Sequence, residues 1–233
     1  MRSYLVAVVA VAACHHAPAP VAVANGGGPG AAPAAPWAGL FAGDRTLVYD
    51  VTTSSSYYDD QDPAADANGN VNSEATAAVT CHLAVATVGA YRTAAITCDD
   101  PDGDDATLGG PIFEQLVRTY VTDGTRLWRL EAGAGFDSAA ELEGVLPAEP
   151  DLVRDQQPVE REQHDDADSE AYGGDFGSVH RVTAAGDGWC IEDASWGGDE
   201  GGTGWCVGPR GVTSVSWYFA GGSSQDAKAE LRP

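Results

Sequence analysis

From Trp37 to the C-terminus, apolar and polar side chains alternate in short runs rich in Val, Thr, Tyr and Trp, and Gly, Asp-Gly and Gly-Pro steps break the runs apart. A period of two marks a strand with one face buried, so the pattern predicts an all-β domain built as an antiparallel meander, curved or barrel-like. In the first strand Leu47, Tyr49, Val51 and Thr53 share one face, with Val48, Asp50 and Thr52 on the other. A long acidic loop over residues 59–73 follows. Residues 76–87 and 91–98 then flank Gly89-Ala90, a two-residue hairpin turn that fixes the register of both strands. Counting back from Val88 opposite Tyr91, Cys81 meets Cys98 at one of the closer, non-hydrogen-bonded pairs, where a disulfide is sterically reasonable. The same register puts Cys81, Leu83, Val85, Ala94, Ile96 and Cys98 on the core face, and His82, Ala84, Thr93, Ala95 and Thr97 on the other.

Asp123-Gly124 predicts a second hairpin, with Val117, Thr119, Val121, Trp128 and Leu130 on its apolar face. A two-residue turn there sets Arg118 opposite Arg129, an unfavourable pair; either the turn is longer or nearby carboxylates relieve it. Ser138 and Glu141 have capping-box spacing and predict one short helix over residues 139–146, stopped by Pro147. Strands resume near residues 178–183, 189–195 and 205–207, and over 212–219 the inward set is Thr213, Val215, Trp217 and Phe219. The last strand turns Ala227, Ala229 and Leu231 inward and Asp226, Lys228, Glu230 and Arg232 outward. Gly188-Trp189-Cys190 recurs as Gly204-Trp205-Cys206 around a Gly-rich loop at 197–204, which reads as a matched strand pair whose cysteines are natural partners.

Composition narrows the function. The 233 residues, 43% of them hydrophobic, suffice for one domain of ordinary size plus a tail. Against 12 Lys and Arg stand 35 Asp and Glu, a net charge of −23, and Lys228 is the only lysine. Such a field repels phosphate backbones, so no nucleic-acid partner is expected, and cations or basic surfaces are the attractive partners.

The N-terminus has a different texture. Arg2 precedes an apolar run over residues 4–13, too short to span a bilayer, which is the pattern of a secretory signal. The run ends Val11-Ala12-Ala13-Cys14, and this segment resembles the lipobox of bacterial lipoproteins. The resemblance implies cleavage before Cys14 and a lipid on its sulfur, hence a protein anchored to the membrane; His15 in place of Asp favours the outer membrane. Residues 1–13 are then a signal peptide, 14–36 an Ala/Pro/Gly-rich tether with too little apolar surface to fold, and 37–233 the single folded domain. A flexible tether of this length averages about 25 Å end to end.

With Cys14 lipidated, four cysteines remain for two bridges in an oxidising compartment, Cys81–Cys98 and Cys190–Cys206 by local pairing. The competing zinc reading would need His82 and His180 to join them, without any CxxC spacing. No Gly-x-Ser-x-Gly or His-Glu-x-x-His motif is present, and His82, His164 and His180 read as exposed. Asp100, Asp102 and Asp104 have the spacing that opens a calcium loop, but Asp105 stands where Gly is needed and Pro111 where a bidentate Glu is needed. Asp59, Asp60, Asp62, Asp66, Asn68 and Asn70 form a second oxygen-rich loop. Either group binds calcium weakly or is a solvated acidic loop. Trp189, Trp196, Trp205 and Trp217 cluster in sequence and offer a stacking platform for sugar rings if exposed, or core if buried, with Trp217 read as core. Three functions stay open: a non-catalytic envelope protein that binds a protein or saccharide partner, a lipid-carrying half-barrel of the periplasmic lipoprotein-carrier type, and a secreted hydrolase.

Overall fold

The computed structural model describes residues 34–233 apart from positions 60, 68, 100–109, 134, 167, 169–171 and 173. The signal peptide, Cys14, most of the tether, Asp60, Asn68 and the calcium-type set Asp100, Asp102 and Asp104 lie outside the described residues.

One antiparallel sheet of twelve strands carries the fold. Its strands are β1 (Arg45–Tyr58), β2 (Asn70–Val88), β3 (Tyr91–Cys98), β4 (Thr119–Thr122), β5 (Arg126–Leu130) and β6 (Leu152–Val153), then β7 (Val159–His164), β8 (Gly177–Ala185), β9 (Gly188–Trp196), β10 (Glu200–Gly208), β11 (Gly211–Ala220) and β12 (Ser223–Leu231). Each strand pairs with its sequence neighbours, β1 also pairs with β12, and β6 and β7 alone leave their shared boundary unpaired. The meander therefore curls into a half-barrel with one open seam.

The first hairpin has the register that its turn dictates: Val88 opposite Tyr91, Leu83 opposite Ile96, and Cys81 opposite Cys98, to which it is disulfide-bonded. The inward residues Cys81, Leu83, Ala94 and Ile96 are buried. The second disulfide joins Cys190 to Cys206, directly opposed on β9 and β10. Their neighbours Ile191 and Trp205 point into the core, so this bridge lies on the outer face of the sheet, whereas Cys81–Cys98 lies on the inner one.

Three sequence expectations are corrected, and one alternative that the sequence leaves open is decided. The Asp123 turn is longer than two residues: Thr122 pairs with Leu127, and Tyr120, not Arg118, faces Arg129. Gly124, at φ 88°, supplies the left-handed backbone there, and the Asp123 carboxylate accepts from the amides of Thr125 and Arg126. Both faces of this hairpin are buried, Tyr120 and Leu127 inward, Val121 and Trp128 outward under the helix α2 (Ala139–Val145). That helix is capped as the sequence predicts, Ser138 accepting from the Glu141 amide. It is not the only one: α1 (Gly110–Leu116) and a 3-10 turn at Ala38–Phe41 line the inner face. Both are about two turns or less, too short for a visible helical period. Thr213 does not point inward. A bulge between Val207 and Cys206 of β10 makes Thr213 the extra residue of β11, so Val212 is buried in its place. Finally, β2 starts at Asn70 and β10 at Glu200, so the acidic loop spans 59–69 and the Gly-rich loop shrinks to a turn at residues 197–199.

The core fills one end of the half-barrel. Trp37, Leu40 and Phe41 from the 3-10 turn and Ile112 and Leu116 from α1 pack on Leu47, Tyr49, Val79 and Val215. Gly39 permits this, since a Cβ there would lie 1.5 Å from the Pro209 carbonyl oxygen. Two buried polar groups at this end have partners: Trp37 Nε1 donates to Thr122 Oγ1 at 3.2 Å and the Tyr49 hydroxyl to the Val212 carbonyl at 2.9 Å. Burial also pushes the Tyr49 phenol well above its ordinary range. Among the described residues no helix is long and apolar enough to cross a membrane.

Candidate binding site

Register turns the inner face into rows of side chains that run across the strands. At the packed end one row reads Val51, Ala229, Val215, Trp205, Ile191 and Val182 on β1, β12, β11, β10, β9 and β8. Two residues along each strand the row becomes Thr53, Ala227, Trp217, Thr203, Asp193 and His180. Two further on it is Ser55, Gln225, Phe219, Gly201, Ser195 and Ser178. Past the packed row the inward set turns mainly polar on five of the six strands, with Ser, Thr, Gln, Asp and His on β1, β12, β10, β9 and β8, while β11 carries Trp217 and Phe219, although neighbouring strands run in opposite directions. Strand β2 follows suit, with Ala77, Ala75 and Ser73 opposite Val51, Thr53 and Ser55.

The open end holds two hollows. One, of about 410 Å³, is bounded by β1, β2, β12 and the start of α1 at Gly110-Pro111-Ile112. The other, of about 420 Å³, is floored by His180, Asp193, Ser195, Thr203 and Phe219. Half-buried Trp217 lines both, so they form one trough with an indole at its middle. Each volume lies in the range of small-molecule sites. The Ser55 and Ser73 hydroxyls bond each other at 2.8 Å across the strand pair.

Among the described residues one ion pair lies on the trough floor: His180 Nδ1 meets Asp193 Oδ1 at 2.8 Å, both side chains partly exposed. A hydrolytic dyad would need a hydroxyl on the other ring nitrogen. Among the described residues no Ser or Thr hydroxyl bonds His180, and Ser195 Oγ donates instead to the Gly201 carbonyl at 3.4 Å. His82 and His164 pair in the same manner with Asp99 at 3.1 Å and Asp175 at 3.0 Å, away from the trough. Asp175 raises the His164 pKa above the ordinary imidazole value, by hydrogen bond and charge together.

Beyond the packed row, the β4–β5 hairpin reaches across the interior. Tyr120 packs on Trp205 with ring centroids 5.6 Å apart, and the Arg129 guanidinium lies 5.3 Å from the same ring. Arg129 also bonds Gln115, and its amide donates to Asp151 Oδ2 at 2.7 Å. Desolvation dominates here, lowering the Arg129 pKa, raising that of Asp151 and pushing the Tyr120 phenol up to about 12.

The tryptophans that cluster in sequence are separated in space. Trp205 is core, Trp189 packs against it, and Trp196 lies on the outer face against Gly177 and the edge of His164. Trp217 touches the core and also lines the trough, which the sequence reading of it as core alone missed. The signal was available in the Ser and Thr residues that continue each strand's inward set, but recognising it requires all six registers at once. The acidic loop at 59–69 uses its carboxylates locally: Asp59 accepts from the Gln61 amide, Asp62 from the Ala64 amide and Asp66 from the Asn70 amide. Among the described residues no cluster of three or more His, Cys, Asp or Glu side chains is placed to hold a metal.

Compared with known proteins, the chain matches no family model, no curated sequence and no solved structure.

Proposed function

We propose that the chain is a lipid-anchored envelope protein that binds a ligand in the open end of its half-barrel and catalyses no reaction. The switch from apolar to mainly polar inward side chains on β1, β12, β10, β9 and β8, around Trp217 and Phe219 on β11, carries this reading. A sheet that needed only a core would have no use for a second, solvated set of inward residues around an indole. Two disulfides fit an oxidising, extracytoplasmic compartment. The lipobox-like segment ending at Cys14 would supply the anchor, with the domain held off the outer membrane by its tether.

Two measurements test the two halves of the proposal. Cys14→Ser should move the protein from the membrane to the soluble fraction, and unchanged fractionation would remove the anchor. A photo-crosslinking residue at Ser55, in the trough, should capture the ligand in intact cells, while one at Lys228, on the outer face, should not. Capture at Lys228 alone would show that the outer face, not the trough, is the binding surface.

A second reading is favoured by one observation: the curled sheet wraps the short helix α1, as a lipid-carrying half-barrel would. The apolar end is already filled by α1 and the 3-10 turn, so acyl chains would have to occupy the polar end or displace Ile112 and Leu116. Displacement of a fluorescent fatty acid from the purified protein distinguishes the two.

A further inference from the structure

We infer that the ligand of the trough is a neutral saccharide, lying across the strands with the face of one sugar ring on Trp217; this rests on the binding reading above. The first argument is charge. In a protein of net charge −23, the outermost inward row, from Ser73 on β2 to Gln163 on β7, contains no charged side chain. Asp226 on β12 and Glu74 on β2 are exposed and border the first hollow, but strand parity puts them outside the inward rows. A charged ligand would call for a fixed opposite charge on the floor, and Asp193 there is already paired with His180.

The second argument is hydrogen-bonding chemistry. Ser55, Ser73, Ser178, Ser195, Thr203 and Gln225 offer hydroxyls and an amide, groups that both donate and accept. Sugar hydroxyls do the same, so each contact can be satisfied in either sense. An acyl chain over these positions would strip their water and return nothing. The third argument is shape. The apolar face of a pyranose matches a flat indole, and Trp217 occupies the centre of the floor with Phe219 one row further out. At about 4.8 Å between strands, the row from β1 to β8 is about 24 Å long. A single sugar would cover one hollow; a linear oligosaccharide would cover both, with Trp217 between its ends.

The test is isothermal titration and tryptophan fluorescence on the full-length, detergent-solubilised protein. The probes are neutral hexamers of glucose in α and β linkage, N-acetylglucosamine, mannose and galactose. At least one should bind saturably and quench fluorescence. Trp217→Ala and the exposed-site variant Gln225→Ala should each weaken it by about tenfold or more, and Ser178→Trp, which fills the floor, should abolish it. Gln225→Ala guards against misfolding as the cause, because its side chain is exposed. If no hexamer binds but a fluorescent fatty acid or a Lys-rich peptide does, and is lost in Ser178→Trp, the saccharide assignment is overturned and the trough remains a binding site. If no probe of any class binds, or if all bind every variant equally, both readings fall.

Discussion

The two ends of the half-barrel are built on the same strands, in the same register, and differ in what their inward residues do. At the packed end, β1 contributes Leu47, Tyr49 and Val51 to a core closed by Phe41 and Leu116; at the open end the same strand contributes Thr53 and Ser55 to a solvated floor. Strand pairing continues through both, so backbone hydrogen bonds do not distinguish them. Only the side chains and the two short helical segments do. A sheet can thus extend its ladder well beyond its core, and the surplus length is where an inward-facing surface becomes available to another molecule.

The widest separation between the two ends should appear on truncation. Phe41→Ala or Leu116→Ala, at sites with almost no exposure, should cost about 3 to 5 kcal/mol in urea unfolding. Ser55→Ala and Gln225→Ala should stay within about 0.5 kcal/mol. Similar costs at both ends would mean that the open end is also part of the core. The disulfides give the next contrast. Each closes a loop of similar length, with sequence separations of 17 and 16 residues, which chain entropy values at about 3 kcal/mol. The double Cys→Ser change at positions 81 and 98 should cost more than that at 190 and 206, because Cys81 is fully buried and the change brings a polar hydroxyl into the core. Equal losses would show that loop closure alone matters.

Acid titration probes the hairpin wall of the packed end. Partial burial works to raise the Asp123 pKa, but hydrogen bonds from the Thr125 amide, the Arg126 side chain, the Thr125 hydroxyl and the Arg126 amide together hold it at about 2. A folded-state value below the unfolded one contributes stability above about pH 4, which is lost as pH falls towards 2. Asp123→Asn should therefore flatten the acid limb of the stability curve in that window. Asp151 has the opposite sign, since burial raises its pKa. Its carboxylate costs stability at neutral pH and that cost disappears as it protonates, so Asp151→Asn should steepen the net acid loss. Identical acid midpoints for both variants would contradict these assignments. The smallest effect belongs to cations. Millimolar calcium should raise the melting temperature slightly, and magnesium at equal ionic strength should do nearly the same. A large calcium-specific shift, lost when Asp100 and Asp102 are changed to Asn, would assign those residues a site.

Alternation and turn chemistry made much of the architecture legible in the sequence. The period-two pattern gave the antiparallel meander, Gly89-Ala90 gave the first register to the residue, and that register brought Cys81 to Cys98. These are local properties, fixed by strand geometry and a two-residue turn. The candidate site was legible only in fragments. Phe219 read as part of an inward set and Trp217 as core, while Ser55 and Gln225 carried no signal of their own, because nothing in a single strand reveals at which level its neighbours change character.

Tertiary structure alone decided the rest, for reasons of the same kind. The inward direction of Val212 over Thr213 depends on a bulge that one strand cannot announce, since the extra residue exists only relative to its partner. Burial of both faces of the β4–β5 hairpin depends on α2 covering its outside and Trp205 meeting its inside. The separation of Trp189, Trp196 and Trp205 from the trough follows from strand parity, which sends residues close in sequence to opposite faces and different levels. The sequence by itself determined which residues could face inward; the level at which twelve strands align determined which of those became core and which became an open floor.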